Sequence, residues 1–228
     1  MSNIHNIFKQ LLQKENPIII EVGAHYGEDS IKFLNTFKDL KLYCFEPDPR
    51  NITVIKNYIK DTRLHLFEYA LFNQDFSVLP FYQSYESKVK EFLFKKYAWI
   101  KRTDYIKWRL NRSGASSLKQ GHIFVKDAPK IYVKTKRLDT WLTEQQILAV
   151  DLIWIDVQGA EKEVIEGFGK YKDNIKYLWT EYGETTYEGG LNRKQTIILL
   201  QKLNFGLISK YSDKTPQGNL LFKNKKYE

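Results

Sequence analysis

The chain has 228 residues, 43% hydrophobic and 28% charged, a balance that excludes a disordered polymer. Its apolar runs fall well short of the roughly 20 residues a membrane-spanning helix needs. With a formal net charge of +9, one cysteine and no apolar leader in residues 1–15, an internal disulfide is excluded and a cytoplasmic location is expected.

Length fits one α/β domain over residues 1–228. Its first informative element is Ile18-Ile19-Ile20-Glu21-Val22, a β-branched run that predicts a buried strand over 17–22. Gly23-Ala24-His25-Tyr26-Gly27 follows and turns the backbone toward a helix, the place where open α/β sheets bind ligands. A second strand is predicted over 41–46. Cys44 lies inside it and reads as a buried, inert thiol, and Phe45-Glu46-Pro47 closes it. A carboxylate at that strand end can accept hydrogen bonds from both hydroxyls of a ribose. The glycine spacing, Gly23-x-x-x-Gly27, lacks the G-x-G-x-x-G that brings a helix N-terminus to a pyrophosphate. S-adenosylmethionine therefore fits better than a dinucleotide, and Glu21 can face its cationic ammonium group. His25, inside the turn, is a candidate for touching cofactor or acceptor. Asp48 and Pro49 are the expected cap and first residue of the next helix.

Further strands are predicted over 64–71, 150–155 and 175–181, and an antiparallel pair over 205–209 and 219–222 ends the chain. Alternation of strands with amphipathic segments predicts a Rossmann-like, doubly wound, mostly parallel sheet. Residues 84–121 interrupt that alternation between the third and fourth sheet strands. From Glu86 to Gln120 ten basic residues stand against three acidic ones, a net +7, and aromatics including Tyr97, Trp99 and Trp108 are interleaved with them. This segment reads as a largely helical lid or substrate platform overhanging the crevice.

Ile153-Trp154-Ile155-Asp156 delivers a carboxylate to the sheet's carboxyl edge, and Val157-Gln158-Gly159-Ala160-Glu161 turns into a helix. Asp156 can be the base that deprotonates an acceptor hydroxyl, a metal ligand, or an orienter of the cofactor amine. Glu181 ends the next strand, so the pair could hold Mg²⁺ or another divalent cation. Glu161 reads equally as surface charge or as functional. His5, His65 and His122 read as structural or solvated.

Glu21-Val22-Gly23-Ala24-His25-Tyr26-Gly27, Phe45-Glu46-Pro47, Arg137-Leu138-Asp139-Thr140-Trp141 and Ile155-Asp156-Val157-Gln158-Gly159-Ala160-Glu161 together resemble the FkbM-type family of class I S-adenosylmethionine-dependent methyltransferases. The resemblance implies a seven-stranded Rossmann-like sheet and methylation of hydroxyls, often of sugars. It places Ala70-Leu71 near adenine and Gly114-Ala115-Ser116-Ser117-Leu118 in the substrate-side loop, so Ala70 and Ser117 join the expected cofactor contacts. The chain departs from the family pattern at Glu21, His25, Trp154 and Gln158, where Asp, Asn, Lys and Glu are common. A glycan O-methyltransferase is the expected function. The basic segment also suits a nucleic-acid ribose methyltransferase, or an assembly protein that binds cofactor without catalysis.

Overall fold

The computed structural model describes residues 4–84, 99–101, 113–121, 125, 128–183, 187–211 and 217–228. Seven strands form one sheet: β1 (Ile18–Val22), β2 (Lys41–Phe45), β3 (Leu64–Phe67), β7 (Val150–Ile155), β8 (Ile175–Gly183), β9 (Phe205–Tyr211) and β10 (Gln217–Asn224). Their spatial order is β3-β2-β1-β7-β8-β10-β9; the first five are parallel, and β10 runs antiparallel to both β8 and β9. The expected terminal pair is present and extends farther at both ends, although residues 212–216 between its strands lie outside the described set.

Strand periodicity divides the core. Ile19, Leu42, Cys44, Leu152, Trp154, Tyr177 and Trp179 point to one face, where Phe8, Leu12 and Phe33 pack on them. Phe8 and Leu12 belong to helix α1 (Ile4–Leu12) and Phe33 to α2 (Glu28–Thr36). Ile20, Val22, Phe45, Ile153, Ile155 and Leu178 point to the other face, against Leu138, Trp141, Val164 and Ile165. Those come from α4 (Leu138–Glu144) and α5 (Glu161–Glu166). Two-sided burial explains why the central strands read as continuous apolar runs rather than as alternation. Trp154 and Trp179 are register partners on β7 and β8, and their rings stack at 4.8 Å.

Helix α3 (Pro49–Tyr58) starts as expected: Asp48 accepts the Arg50 N–H, and Pro49 takes the first turn, where its missing N–H costs nothing. Helix α6 (Arg193–Lys202) has a reciprocal cap between Asn192 and Gln195.

The run over 64–71 is not one strand. It leaves the main sheet after Phe67, and Ala70–Leu71 (β4) pairs instead with β6 (Lys130–Lys136), which also pairs antiparallel with β5 (Val78–Tyr82). Phe67 stacks on Phe45 while Tyr69 meets the same ring edge-on, so the chain bends around Phe45 where a straight strand would continue. The small sheet β4-β6-β5 thereby sits beside the carboxyl end of β2. Most of the basic segment lies outside the described residues, including Lys95, Lys96, Arg102 and the aromatics Tyr97 and Trp108; Trp99 and Lys101 are within them. No helix among the described residues is long and apolar enough to cross a membrane.

Candidate active site

β1 has β2 on one side and β7 on the other, so the order in which strands are added reverses at β1, and a crevice opens at their carboxyl ends. Gly23 makes the first turn there. Its φ is +86°, and a Cβ at this position would lie 1.9 Å from the Asp156 carbonyl oxygen. Both the backbone conformation and the close approach of β7 demand glycine.

Glu46 is 4% exposed, and both of its oxygens are engaged. Oε2 accepts the His25 N–H at 2.8 Å; Oε1 accepts the Asp48 N–H at 2.9 Å and the Asn51 amide at 3.2 Å. Burial, then the charge of Asp48, pushes its carboxyl up to about 7. Asn51 Oδ1 is buried, has no hydrogen-bond partner among the described residues, and belongs to a residue lining the cavity: an acceptor awaiting a donor.

That cavity holds about 540 Å³ of unfilled space including its mouth. Val22, Phe45, Ala70, Leu71, Phe81, Leu118 and Val157 make its apolar walls, while Glu46, Asn51, Ser113, Ser116, Asp156 and Gln158 supply polar groups. A second chamber adjoins it, lined by Glu21, Glu28, Asp29, Lys32, Ala24 and Trp154. Gly23, His25, Gly114 and Asp156 border both. Four carboxyl groups against one lysine suit a cationic group. Glu21, 2% exposed, accepts from the Ser30 hydroxyl and, at 3.3 Å, from the Cys44 thiol. Burial, then Asp29, pushes Glu21 up to about 8. Cys44 is buried as expected, and burial pushes its thiol well up, away from nucleophile chemistry.

His25 sits in the left-handed region at φ +51°. Its Nδ1 is 2.9 Å from Glu28 and its Nε2 2.9 Å from the Ser113 hydroxyl, while its ring stacks on Tyr26 at 3.6 Å. Burial works against charging the ring, but Glu28 outweighs it and the pKa rises. With both nitrogens engaged, His25 ties the glycine turn to the 113–118 segment and, through its own N–H, steadies Glu46. Tyr26 is buried, and its hydroxyl accepts from Ser113. Gly27 precedes α2 at φ +87°. Neither Tyr26 nor Gly27 lines the two chambers. Pro47 does line the apolar cavity; Ser117 does not, and its hydroxyl instead donates to the Gln158 carbonyl at 2.6 Å.

Asp156, just past β7, and Glu181, which lies within β8 rather than at its end, are brought together at the carboxyl edge of the sheet. The group between them is the Gln158 amide nitrogen, 2.6 Å from Asp156 Oδ1 and 2.9 Å from Glu181 Oε2. This donor set does not suit a cation, because amide protons already fill the space between the carboxyl groups. Among the described residues, moreover, no three His, Cys, Asp or Glu side chains converge on one point. This pair of acids therefore offers no site for the expected divalent ion. Nor is Asp156 a helix cap, since α5 starts after Ala160. Glu161 folds back so that Oε1 accepts the Val157 and Gly159 N–H groups at 3.3 and 3.1 Å, and burial pushes it up to about 7.

Sequence reasoning missed Asn51, Phe81 and Tyr187. Asn51 carried a weak signal, as a polar residue in the first turn of the helix that follows Glu46. Tyr187 carried none, because it reaches the site from a loop beyond β8.

Fold and site define a Rossmann-like methyltransferase: a seven-stranded sheet with an antiparallel last pair, a glycine turn after β1 and an acid at the end of β2. The chain belongs to the Methyltransferase FkbM domain family, which matches residues 21–207. A curated relative, 2-O-methyltransferase NoeI of Sinorhizobium fredii (strain NBRC 101917 / NGR234), is 30% identical over 229 aligned positions covering 98% of this chain and 86% of the relative. Among solved structures, the Methanococcus jannaschii fibrillarin pre-rRNA processing protein has a TM-score of 0.51 at 10% identity, covering 93% of this chain and 68% of that one. A METTL16 MTase domain also has a TM-score of 0.51, at 9% identity, covering 97% and 66%. At such identities these two likenesses speak for the fold alone.

Proposed function

We propose that this methyltransferase moves the methyl group of S-adenosylmethionine to a sugar hydroxyl, at position 2 of a glycan unit. The observation that carries the cofactor reading is the buried Glu46 carboxylate at the end of β2, with the unsatisfied Asn51 Oδ1 beside it. Two ribose hydroxyls would donate to these two acceptors. Adenine would then lie among Phe45, Ala70, Leu71 and Phe81, and the methionine end would enter the acid-lined chamber. The name of the 30% identical relative supports an oxygen acceptor at a position numbered 2.

Methyl transfer is an in-line displacement, so the protein's part is to align sulfur, methyl and acceptor oxygen and to receive one proton. Gly23 lets the cofactor approach the backbone, Glu46 and Asn51 fix the ribose, and Asp156 lies where the two chambers meet. Residues 84–121 are assigned to acceptor binding, with aromatics for sugar faces and Lys/Arg for hydroxyl or anionic groups.

The basic segment also supports a second reading, a ribose hydroxyl in RNA. Incubation with S-adenosylmethionine and separate panels of oligosaccharides and RNAs, followed by mass spectrometry, decides between them. The glycan reading expects a one-methyl mass gain on an oligosaccharide and none on RNA; a gain confined to RNA reverses it.

A further inference from the structure

Asp156 and Glu181 hold an arrangement that methyl transfer alone does not require. Ile155 and Thr180 are register partners, so Asp156, just past the end of β7, lies beside Glu181, which stays within β8 paired with Asn219. Both carboxyl groups are partly buried, and one nitrogen, Gln158 Nε2, lies within hydrogen-bond distance of both, 2.6 Å from Asp156 Oδ1 and 2.9 Å from Glu181 Oε2. Two carboxylates held this close on one amide nitrogen repel each other, and one proton retained by the pair relieves that repulsion.

The Gln158 amide is oriented by its other end. The Tyr187 hydroxyl, whose proton is shared with the Ala115 carbonyl at 2.9 Å, stands 3.1 Å from Gln158 Oε1, leaving both amide N–H groups for the two acids. The backbone is committed to this placement as well. Gln158 has φ +56°, and Gly159, at φ +99°, would collide with Tyr187 if it carried a Cβ, only 2.4 Å away.

The two acids also face different spaces. Asp156 is the one acid among the four residues bordering both cofactor chambers. Sulfur joins the adenosyl and methionine halves of the cofactor, so with one half in each chamber its positive charge would fall beside Asp156. Glu181 lines a separate cavity with Glu161, Tyr187 and Gln217.

We propose that Asp156 and Glu181 act as one base that the cofactor's own charge switches on: the ligand-free pair retains one proton, binding of the sulfonium expels it, and the acceptor hydroxyl restores it. This rests on the S-adenosylmethionine reading above. In the step itself the acceptor O–H gives its proton to the dianionic pair while its oxygen electrons form the new O–CH₃ bond. The electrons of the S–CH₃ bond stay on sulfur, which becomes a neutral thioether. Site charge is the same before and after, because the sulfonium loses +1 as the pair gains H⁺. The buried site therefore creates no net charge during the reaction, which a low-dielectric environment would penalise.

The surroundings agree with a retained proton in the empty enzyme. Burial raises Asp156, opposed by Gln158, with Asp29 raising it further and His25 opposing. Burial, then Asp156 and Glu161, raises Glu181. Tyr187, also raised by burial and by these acids, remains a neutral donor. In this scheme Gln158 is a positioning residue: it stabilises the ionised pair and holds the two acids in register.

The test is calorimetric titration with S-adenosylmethionine and, separately, S-adenosylhomocysteine, in buffers of low and high ionisation enthalpy at about pH 7.5 with a chelator present. Both ligands carry the ammonium, so their difference isolates the sulfonium. The expected result is a release of up to about one proton more for S-adenosylmethionine. That excess disappears in Glu181→Gln and in Asp156→Asn, with S-adenosylhomocysteine binding as the check that each variant is folded. Gln158→Ala retains both acids and moves the pH of maximal excess upward by about one unit. Equal proton release by the two ligands in the native enzyme, or an excess surviving in Glu181→Gln, overturns the switch and leaves the methyl-transfer reading standing. Failure of both ligands to bind removes that reading, and the switch with it.

Discussion

Glu21 shows how one buried acid can serve binding at a cost to stability above its ordinary pKa. Its carboxyl sits against Ser30 and Cys44, and burial holds its pKa near 8, so at neutral pH the empty enzyme carries it mostly protonated. A ligand ammonium reverses that preference, since an opposite charge favours the ionised form. Glu21→Gln keeps the shape and an acceptor for Ser30 but cannot ionise. The expected outcome is an unfolding temperature at about pH 4 within a degree or two of the native protein, alongside roughly tenfold weaker S-adenosylhomocysteine binding at neutral pH. Thermal melts and calorimetry check the two halves. A large loss of stability with unchanged affinity would make Glu21 a structural residue.

The turns between elements build the site, and they were the legible part of the sequence where their chemistry is local. Gly23 and Glu46 could be read because a glycine after a buried run and an acid at the next strand end each follow from backbone geometry at one place. Gly23→Ala is predicted to cost about 2 kcal/mol or more, from a left-handed φ and a Cβ 1.9 Å from the Asp156 carbonyl, and chemical denaturation measures it. A loss under about 0.5 kcal/mol would mean the β1–α2 turn is looser than described. Strands β5 and β6 escaped the sequence reading for a different reason. Lys130-Ile131-Tyr132-Val133-Lys134-Thr135-Lys136 buries only Val133 and Thr135, and Pro80 interrupts the other strand, so neither carries the apolar weight of the main sheet. The break after Phe67 was hidden because the apolar run continues through it; only tertiary packing around Phe45 bends the chain. Tyr187 was illegible for the same reason, since its role arises from a contact 29 residues away, whereas Asn51, five residues after Glu46, carried only a weak local signal.

At the scale of the whole molecule, the cleft concentrates acids and the sequence concentrates bases elsewhere. Glu21, Glu46 and Glu161 have carboxyl groups raised from the ordinary 4.5 to about 8, 7 and 7. A raised folded-state value means the folded protein binds these protons more tightly than the unfolded chain does. Their contribution is fully present below about pH 4.5 and is lost as pH rises through 7 to 8. The ligand-free protein is therefore predicted to lose roughly 5–10 °C of unfolding temperature between about pH 5.5 and 8.5, and bound S-adenosylhomocysteine should flatten that slope. Melts across this range that rise with pH would contradict the assignment. On the basic side, joint neutralisation of Lys95, Lys96, Lys101 and Arg102 is expected to raise the acceptor KM severalfold while leaving cofactor affinity alone. Steady-state kinetics reads the first effect and calorimetry the second; an unchanged KM would detach the basic segment from acceptor binding.

The cofactor assignment is tested most directly by calorimetric titration of the purified protein with S-adenosylhomocysteine, using NAD as control ligand and Glu46→Ala as control protein. Loss of the carboxylate proposed to bind ribose should weaken binding at least tenfold, on the scale of a charge-assisted hydrogen bond of about 1.5–3 kcal/mol, and NAD should not bind. Equal affinity in Glu46→Ala, or binding of NAD in preference to S-adenosylhomocysteine, would contradict the account.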